Sequence, residues 1–226
     1  MSSTLEYGVH MVVPALAAFA KMHPDLRVDF SGTTSLVNLV ADRFDLAIRL
    51  GHLGDSGYRA TSLGAFDIVL VASPAYIAQH GLPRTPADLQ PLQWVVLSGF
   101  DQRVKLLKTD GTAPAFPVPY RSHVQADSAL AKLHFLLADM GIGVLPEWVV
   151  RQDLRQGRLV RLLPDYTMAQ QGVYAIFPNT RHTPAKVRQF IDFLQAYVKR
   201  DACQDGGQRR SLDRQKRWNS PPDFSD

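Results

Sequence analysis

The chain has 226 residues, of which 46% are hydrophobic and 20% charged, and this ordinary globular composition excludes a wholly disordered protein. A formal net charge of +4 is too small to predict a nucleic-acid surface, and a single cysteine excludes an intrachain disulfide. The sequence shows neither a secretory signal nor an apolar run long enough to span a membrane, so we expect a cytoplasmic protein without membrane contact.

Helical and strand-like segments alternate along the chain, which predicts an α/β fold with helices covering mostly parallel sheets. Ser3 or Thr4 caps a first predicted helix, and an apolar stripe at helical spacing carries it from Glu6 to Met22. The next predicted elements are a strand over residues 27–31, a helix through residues 36–40, and strands over residues 44–50 and 66–72.

In the second half of the chain, Ser73-Pro74 predicts a helix start and Gly81 its end. Asp127 and Ser128 are predicted to cap a later helix that ends at Gly141. The other predicted elements are strands over residues 94–97, 157–163 and 173–177, a hairpin around Asp110-Gly111, a strand that ends at Val124-Gln125, and a helix over residues 184–199. Residues 201–226 are polar and aperiodic, which predicts a disordered tail.

No catalytic motif is found: the sequence has no serine elbow, no Gly-rich phosphate loop and no dinucleotide fingerprint. The seven histidines never occur at the i, i+3 or i, i+4 spacing that places two metal ligands on one helix face. The sequence therefore predicts no enzyme, no cofactor and no metal site.

Three polar clusters lie where predicted strands meet helices, at Ser2-Ser3-Thr4, residues 31–35 and residues 125–128. Helix N-termini offer free N–H groups and a positive dipole end, which attract a carboxylate. Each cluster taken alone is explained as well by helix capping, but three together favour a binding site.

Two further side chains have alternative interpretations. Arg49 lies at the end of the predicted strand 44–50, and it is either a countercharge for an acidic ligand or a structural partner for Asp45 or another local carboxylate. Phe100, which follows Ser98-Gly99, either stacks on a ligand or only packs within its loop.

Six segments resemble, in their order and spacing, the regulatory domain of LysR-type transcription regulators, and the resemblance covers about residues 2–200. The segments are Phe44-Asp-Leu-Ala-Ile-Arg-Leu-Gly51, Leu70-Val-Ala-Ser-Pro-Ala-Tyr76, Gly81-Leu-Pro-Arg-Thr-Pro-Ala-Asp-Leu89, Gly141-Ile-Gly-Val-Leu-Pro146, Gly157-Arg-Leu-Val-Arg-Leu-Leu-Pro164 and Lys186-Val-Arg-Gln-Phe-Ile-Asp-Phe-Leu194.

The resemblance implies a two-lobed fold like that of periplasmic solute-binding proteins of type 2, with a small-molecule effector bound between the lobes. Lobe one would comprise residues 1–71 plus 176–200, and lobe two residues 72–175. The cap-rich turns and Arg49 indicate an acidic or aromatic effector. The expected effector contacts, from the resemblance and the polar clusters together, are Ser2, Ser3, Thr4, Gly32, Thr33, Thr34, Arg49, Ser98, Phe100, Gln125 and Asp127.

The chain also departs from the family pattern. Family members begin with a winged helix-turn-helix and a linker helix, which this sequence lacks, and the first strand of lobe one is expected to be missing. We therefore expect a truncated regulator that forms homodimers or tetramers and contacts DNA only through a helix-turn-helix absent from this chain. The alternatives are a transporter's solute-binding protein, which would need export, and an enzyme on the same fold, which would need an acid–base set.

Overall fold

The computed structural model describes residues 1–33, 38–51, 57–98, 103–111, 116–119, 122–179 and 184–200. The chain divides into two compact units, which we call unit 1 (Met1–Gly64 with Val173–Asp226) and unit 2 (Ala65–Gly172). The lobe boundaries expected from the resemblance, after residues 71 and 175, lie a few residues further along the chain. The predicted disordered tail lies outside the described residues.

Thirteen strands are assigned in the described part of the chain. In chain order they are β1 (Ser2–Ser3), β2 (Ser31–Gly32), β3 (Ala47–Leu50), β4 (Arg59–Phe66), β5 (Ile68–Ala72), β6 (Trp94–Leu97), β7 (Arg103–Lys108), β8 (Phe116–Pro119), β9 (Ser122–Ala126), β10 (Ile142–Pro146), β11 (Val160–Arg161), β12 (Tyr166–Thr167) and β13 (Gln171–Phe177).

The first helix, α1, is continuous but changes its hydrogen-bond pattern: Leu5–Tyr7 is α-helical, Gly8–Val12 is a π-helical turn, and Val13–Met22 is α-helical again. The other helices are α2 (Pro74–His80), α3 (Ala129–Leu137), α4 (Glu147–Arg155) and α5 (residues 185–200), with a 3-10 turn at Pro86–Leu89. None of the helices in these ranges combines the length and the apolar character that crossing a bilayer requires.

The sheet of unit 1 has the strand order β2-β1-β3-β13-β4. β1 is parallel to both of its neighbours, whereas β13 is antiparallel to β3, so the sheet is mixed. Backbone hydrogen bonds hold β1 in place, since Ser2 N donates to Leu46 O (2.9 Å) and Thr33 N donates to Ser3 O (2.8 Å). The central position for which we expected a missing strand is thus occupied, over two residues, by Ser2–Ser3.

The prediction of a helix over residues 6–22 is confirmed by α1. The stripe predicted for it was partly wrong, because Val12, Leu16 and Phe19 are buried whereas Val9 and Val13 are exposed. Phe19 on this stripe packs edge-on against Phe190 of α5, with ring centroids 5.3 Å apart. Burial of two aromatic side chains supplies several kcal/mol, on the order of 2–3 each. The buried residues of the stripe are Tyr7, Met11, Val12, Ala15, Leu16 and Phe19.

Unit 2 contains a five-stranded sheet with the order β11-β5-β10-β6-β9 and a three-stranded sheet with the order β12-β7-β8. β10 is parallel to β6, and β6 to β9, whereas β5 is antiparallel to β10. Helices α3 and α4 pack on one face, over Val69, Val71, Val95, Leu133, Leu136, Leu145, Val150 and Leu159. The other face packs on the small sheet, through Trp94, Leu106, Val118, Ile142 and Leu162 among others.

Local signals predicted some elements well. Ser73 caps α2 by accepting a hydrogen bond from Tyr76 N (3.1 Å), and β7 and β8 pair as the predicted antiparallel hairpin. The strand predicted over residues 27–31 was wrong in extent, because only Ser31–Gly32 pairs with β1. The helix predicted through residues 36–40 lies partly outside the described residues, and residues 39–43 form turns.

Candidate functional site

The turn between β1 and α1 contains three consecutive polar residues whose hydroxyl groups have different surroundings. Ser2 and Ser3 are fully buried within the sheet. Because successive side chains of a strand point to opposite faces, the two hydroxyls lie on opposite sides of the sheet. Ser2 Oγ accepts a hydrogen bond from Arg49 Nη2 (3.0 Å), so its hydroxyl is used within the fold.

Ser3 and Thr4 differ from Ser2, since neither Ser3 Oγ nor Thr4 Oγ1 has a hydrogen-bond partner among the described residues, although both atoms are buried. Thr4 stands at the N-cap of α1, yet its side chain makes no capping bond, while its carbonyl accepts from Gly8 N (2.8 Å). An unsatisfied buried hydroxyl costs roughly 1–3 kcal/mol, so a ligand or water that bonds to it is favoured.

Glycine at position 8 allows α1 to approach this turn closely. A Cβ added at Gly8 would lie 2.7 Å from Phe30 Cζ and 3.1 Å from Ser3 Oγ. Gly32 has a similar role, since a Cβ there would lie 2.6 Å from Leu5 Cδ1. Gly32 is therefore explained by packing against α1, whether or not a ligand also contacts it.

Arg49 on β3 is a buried cation, only 9% exposed, and it lies on the same side of the sheet as Ser2 of the neighbouring strand β1. Its Nη1 donates to Ile48 O (2.9 Å) and its Nη2 to Ser2 Oγ, and burial lowers the pKa of its guanidinium. The guanidinium is therefore oriented by the fold itself. A planar group held in this way suits recognition of a carboxylate.

The second set of predicted residues lies in unit 2, where β6 and β9 end side by side. Leu97 pairs with Ala126, and Ser98 donates to Ala126 O through both its backbone N (2.7 Å) and its Oγ (3.1 Å). The hydroxyl of Ser98 is thus used to close the strand end. Gln125 and Asp127 are exposed at the same edge.

Capping at the start of α3 falls to one residue of the predicted pair. Ser128 is the N-cap, and its Oγ accepts a hydrogen bond from Ala131 N (3.4 Å). Asp127 directly precedes this cap and is exposed. Thr34 and Phe100 lie outside the described residues, and Thr33 stands at the end of β2, half-buried.

Two buried charged residues of unit 2 were not predicted from the sequence, namely Lys132 on α3 and Asp153 on α4, which are 2% and 4% exposed. For Lys132 the signal was present, because it lies three residues after Ala129 and four before Leu136 of the apolar stripe, and residues at these spacings share a helix face. Across the described residues, no group of three or more His, Cys, Asp or Glu side chains is placed to hold a metal ion.

A family model, the LysR substrate binding domain, matches residues 1–199 of the chain. The transcriptional regulator PtxR of Pseudomonas aeruginosa is 34% identical over 191 residues, which is 82% of this chain and 59% of PtxR. The transcriptional activator AaeR of Escherichia coli is 31% identical over 197 residues, which is 87% of this chain and 62% of AaeR. The chain spans about three fifths of the length of such curated relatives.

Solved structures show the same likeness. The regulatory domain of CrgA, a LysR-type transcriptional regulator from Neisseria meningitidis, superposes with a TM-score of 0.75 at 26% identity, covering 86% of this chain and 95% of that domain. The full-length virulence activator AphB of Vibrio cholerae superposes with a TM-score of 0.74 at 26% identity, covering 87% of this chain and 67% of AphB. These matches confirm the predicted fold class.

Proposed function

This chain belongs to the LysR substrate binding domain family, and from this premise we propose that it binds a small organic acid through the β1–α1 turn. The observation that carries the proposal is the pair of buried hydroxyls, Ser3 Oγ and Thr4 Oγ1, without a partner among the described residues. Folding alone leaves these groups unsatisfied, whereas a bound acceptor or donor would satisfy them.

The N-terminus of α1 supports an acidic ligand. The first backbone N–H groups of a helix lack partners within the helix, and the dipole of the helix favours a negative charge there. Arg49 adds a positive charge on the neighbouring strand, since its guanidinium reaches Ser2 of the same turn. We propose that Ser3, Thr4 and the first turn of α1 hold the carboxylate, while Arg49 provides longer-range attraction.

The effector contacts expected in unit 2, namely Ser98, Gln125 and Asp127, stay part of the proposal. Gln125 and Asp127 are exposed at the end of β9, which runs parallel to β6, and ligands of open α/β sheets collect at such strand ends. Ser98 contributes less, because its hydroxyl already donates to Ala126 O. The lobe division at residues 71/72 and 175/176 and the cytoplasmic location also stay predictions.

We further propose that the longer protein is a transcription regulator in which effector binding changes the arrangement of subunits on DNA. The curated relatives named above are regulators, which argues against the transporter alternative. No covalent chemistry is part of the proposal. DNA contact would belong to the portion of those longer relatives that this chain does not match.

We propose that this chain associates with itself into homodimers or tetramers. Leu5, Val9 and Val13 form an apolar row on α1 at i, i+4 spacing, and they are 51%, 58% and 38% exposed. Such a row suits a second copy of the same chain. Sedimentation velocity should show a dimer for the wild type and a shift towards monomer for Val9→Glu. Unchanged sedimentation of Val9→Glu would show that this row of α1 is not the contact between copies.

The binding proposal is tested by thermal shift with a panel of small carboxylic acids. A ligand that binds only the folded state raises Tm, so at least one acid should stabilise the wild type. Ser3→Ala and Thr4→Val should lose most of that increase. Ser73→Ala is the matched control, since it removes a buried hydroxyl at the α2 cap and should keep the full increase. Equal increases in all four proteins would contradict the proposal.

A further inference from the structure

Lys132 occupies the layer between α3 and the sheet of unit 2, and its stem fills a space that a glycine provides. A Cβ added at Gly143 on β10 would lie 2.9 Å from Lys132 Cε and 2.9 Å from Val95 O. The lysine is 2% exposed and is surrounded by an apolar cluster that includes Leu133 and Leu136. A position of this kind ordinarily holds a hydrophobic residue.

The ammonium of Lys132 has neither a hydrogen bond nor an ion pair with any residue in the described ranges. Asp153, the other buried charged residue in the described part of unit 2, differs because it forms an ion pair. Arg158 Nη2 lies 2.7 Å from Asp153 Oδ1. Burial is the cause that lowers the pKa of Lys132 to about 8. A buried cation without a partner is costly, and a methionine of similar shape would avoid that cost.

The surrounding backbone adds to the positive charge. Lys132 N donates to Ser128 O (3.0 Å), so the lysine lies one turn from the N-terminus of α3. This end of a helix carries a positive partial charge, which disfavours a cation and favours an anion. Helical side chains also lean towards the N-terminus of their helix, which brings the ammonium nearer to that end. Two positive features therefore lie together at this end of α3, where the exposed residue Asp127 precedes the N-cap.

We propose that Lys132 is the anion-binding residue of unit 2 and contacts a second carboxylate, separate from the carboxylate that Ser3 and Thr4 hold. This inference rests on the proposed function and adds to it, because it makes a negative charge a requirement for effector recognition within unit 2. The bound carboxylate would supply the partner that the fold leaves out, at a site distinct from Ser3 and Thr4.

The test compares matched charged and neutral probes on the whole chain. Sodium acetate, benzoate and succinate are each paired with the corresponding amide, at constant ionic strength and pH 7, and Tm and Kd are measured. The variants are Lys132→Met, which removes the charge, and Lys132→Arg, which keeps it. Lys105→Met is the control, since Lys105 is exposed on β7.

Carboxylates should stabilise the wild type more than their amides do, and Lys132→Met should bind succinate, which carries a second carboxylate, about tenfold more weakly. Lys132→Arg and Lys105→Met should keep the preference for the charged probe. Equal succinate binding by the wild type and Lys132→Met would overturn this inference while leaving the proposed function intact. A response to neutral compounds alone would do the same, whereas no response to any probe would overturn both.

Discussion

Each of the two units has a buried cation near a polar turn that leads into a helix. In unit 1 two hydroxyls of the turn lack hydrogen bonds within the described part of the chain, whereas in unit 2 it is the cation that lacks one. In unit 1, Arg49 donates to Ser2 and Ile48, while the hydroxyls of Ser3 and Thr4 lack partners among the described residues. In unit 2 the hydroxyl of Ser128 caps α3, while the ammonium of Lys132 has no hydrogen-bond or ion-pair partner among the described residues.

The difference separates polar residues that the fold explains from those that it does not. Ser2, Ser98 and Ser128 all bond to the protein itself, so their presence requires no ligand. Ser3 and Lys132 cost stability in the unliganded chain, because Ser3 Oγ is buried without a partner among the described residues and burial disfavours the charge of Lys132. Unsatisfied groups are therefore the stronger candidates for effector contacts, and substitutions should reveal them by stabilising the unliganded protein.

The largest effect is expected for Lys132→Met. The folded pKa of about 8 lies below the ordinary value of 10.5, and this difference corresponds to a gain of about 3 kcal/mol in the free energy of unfolding at neutral pH when the charge is removed. Tm should therefore rise by several degrees in differential scanning calorimetry. A lower Tm for Lys132→Met would show that the ammonium has a partner that stabilises it.

The same residue predicts a pH dependence. Between pH 8 and 10.5 the unfolded chain retains the Lys132 proton while the folded chain has lost it, so the unfolding free energy should rise with pH in this window. Below pH 8 the penalty should be constant. Lys132→Met should lack this contribution, and urea denaturation of both proteins from pH 7 to 10.5 measures the difference; parallel curves would contradict it.

The matched substitution in unit 1, Arg49→Met, should act in the opposite direction. It removes the hydrogen bonds to Ile48 O and Ser2 Oγ and leaves Ser2 Oγ buried without this donor, which costs about 2 kcal/mol. Urea denaturation should therefore show a lower midpoint with an unchanged m-value. If Arg49→Met and Lys132→Met change stability in the same direction, the distinction between the two cations fails.

A smaller pair of effects concerns the two turns. Ser128→Ala should destabilise the protein by about 1 kcal/mol, because it removes the cap of α3. Ser3→Ala should leave the unliganded chain unchanged or stabilise it by roughly 0.5 kcal/mol, since no hydrogen bond is lost. Chemical denaturation without ligand measures both, and a loss of 1 kcal/mol in Ser3→Ala would reveal a bond within the fold.

The sequence predicted those elements whose signals are local. The cap and proline of Ser73-Pro74 specified α2, and the apolar stripe specified α1. Strand lengths depend on partners elsewhere in the chain. The segment 27–31 has strand-like composition, yet only Ser31–Gly32 pairs, because β1 is two residues long. Most residues of β4 are exposed or half-buried, so the sequence analysis missed most of this strand.

For the candidate site, the sequence located the polar turns but could not say which hydroxyls are satisfied. Ser2 and Ser3 are equivalent in composition, and only the pairing of β1 with β3 places Ser2 beside Arg49. Lys132 was overlooked because a lysine within a helix is usually solvated. Its burial depends on Gly143, which lies on a different element.

The most direct measurement is a crystal structure of the chain with the acid that raises Tm most. The account predicts ligand density with oxygen atoms about 3 Å from Ser3 Oγ and Thr4 Oγ1, so that both buried hydroxyls gain a partner. A well-ordered ligand bound elsewhere, with these hydroxyls still unpaired, would contradict the claim that the β1–α1 turn is where this family member binds its effector.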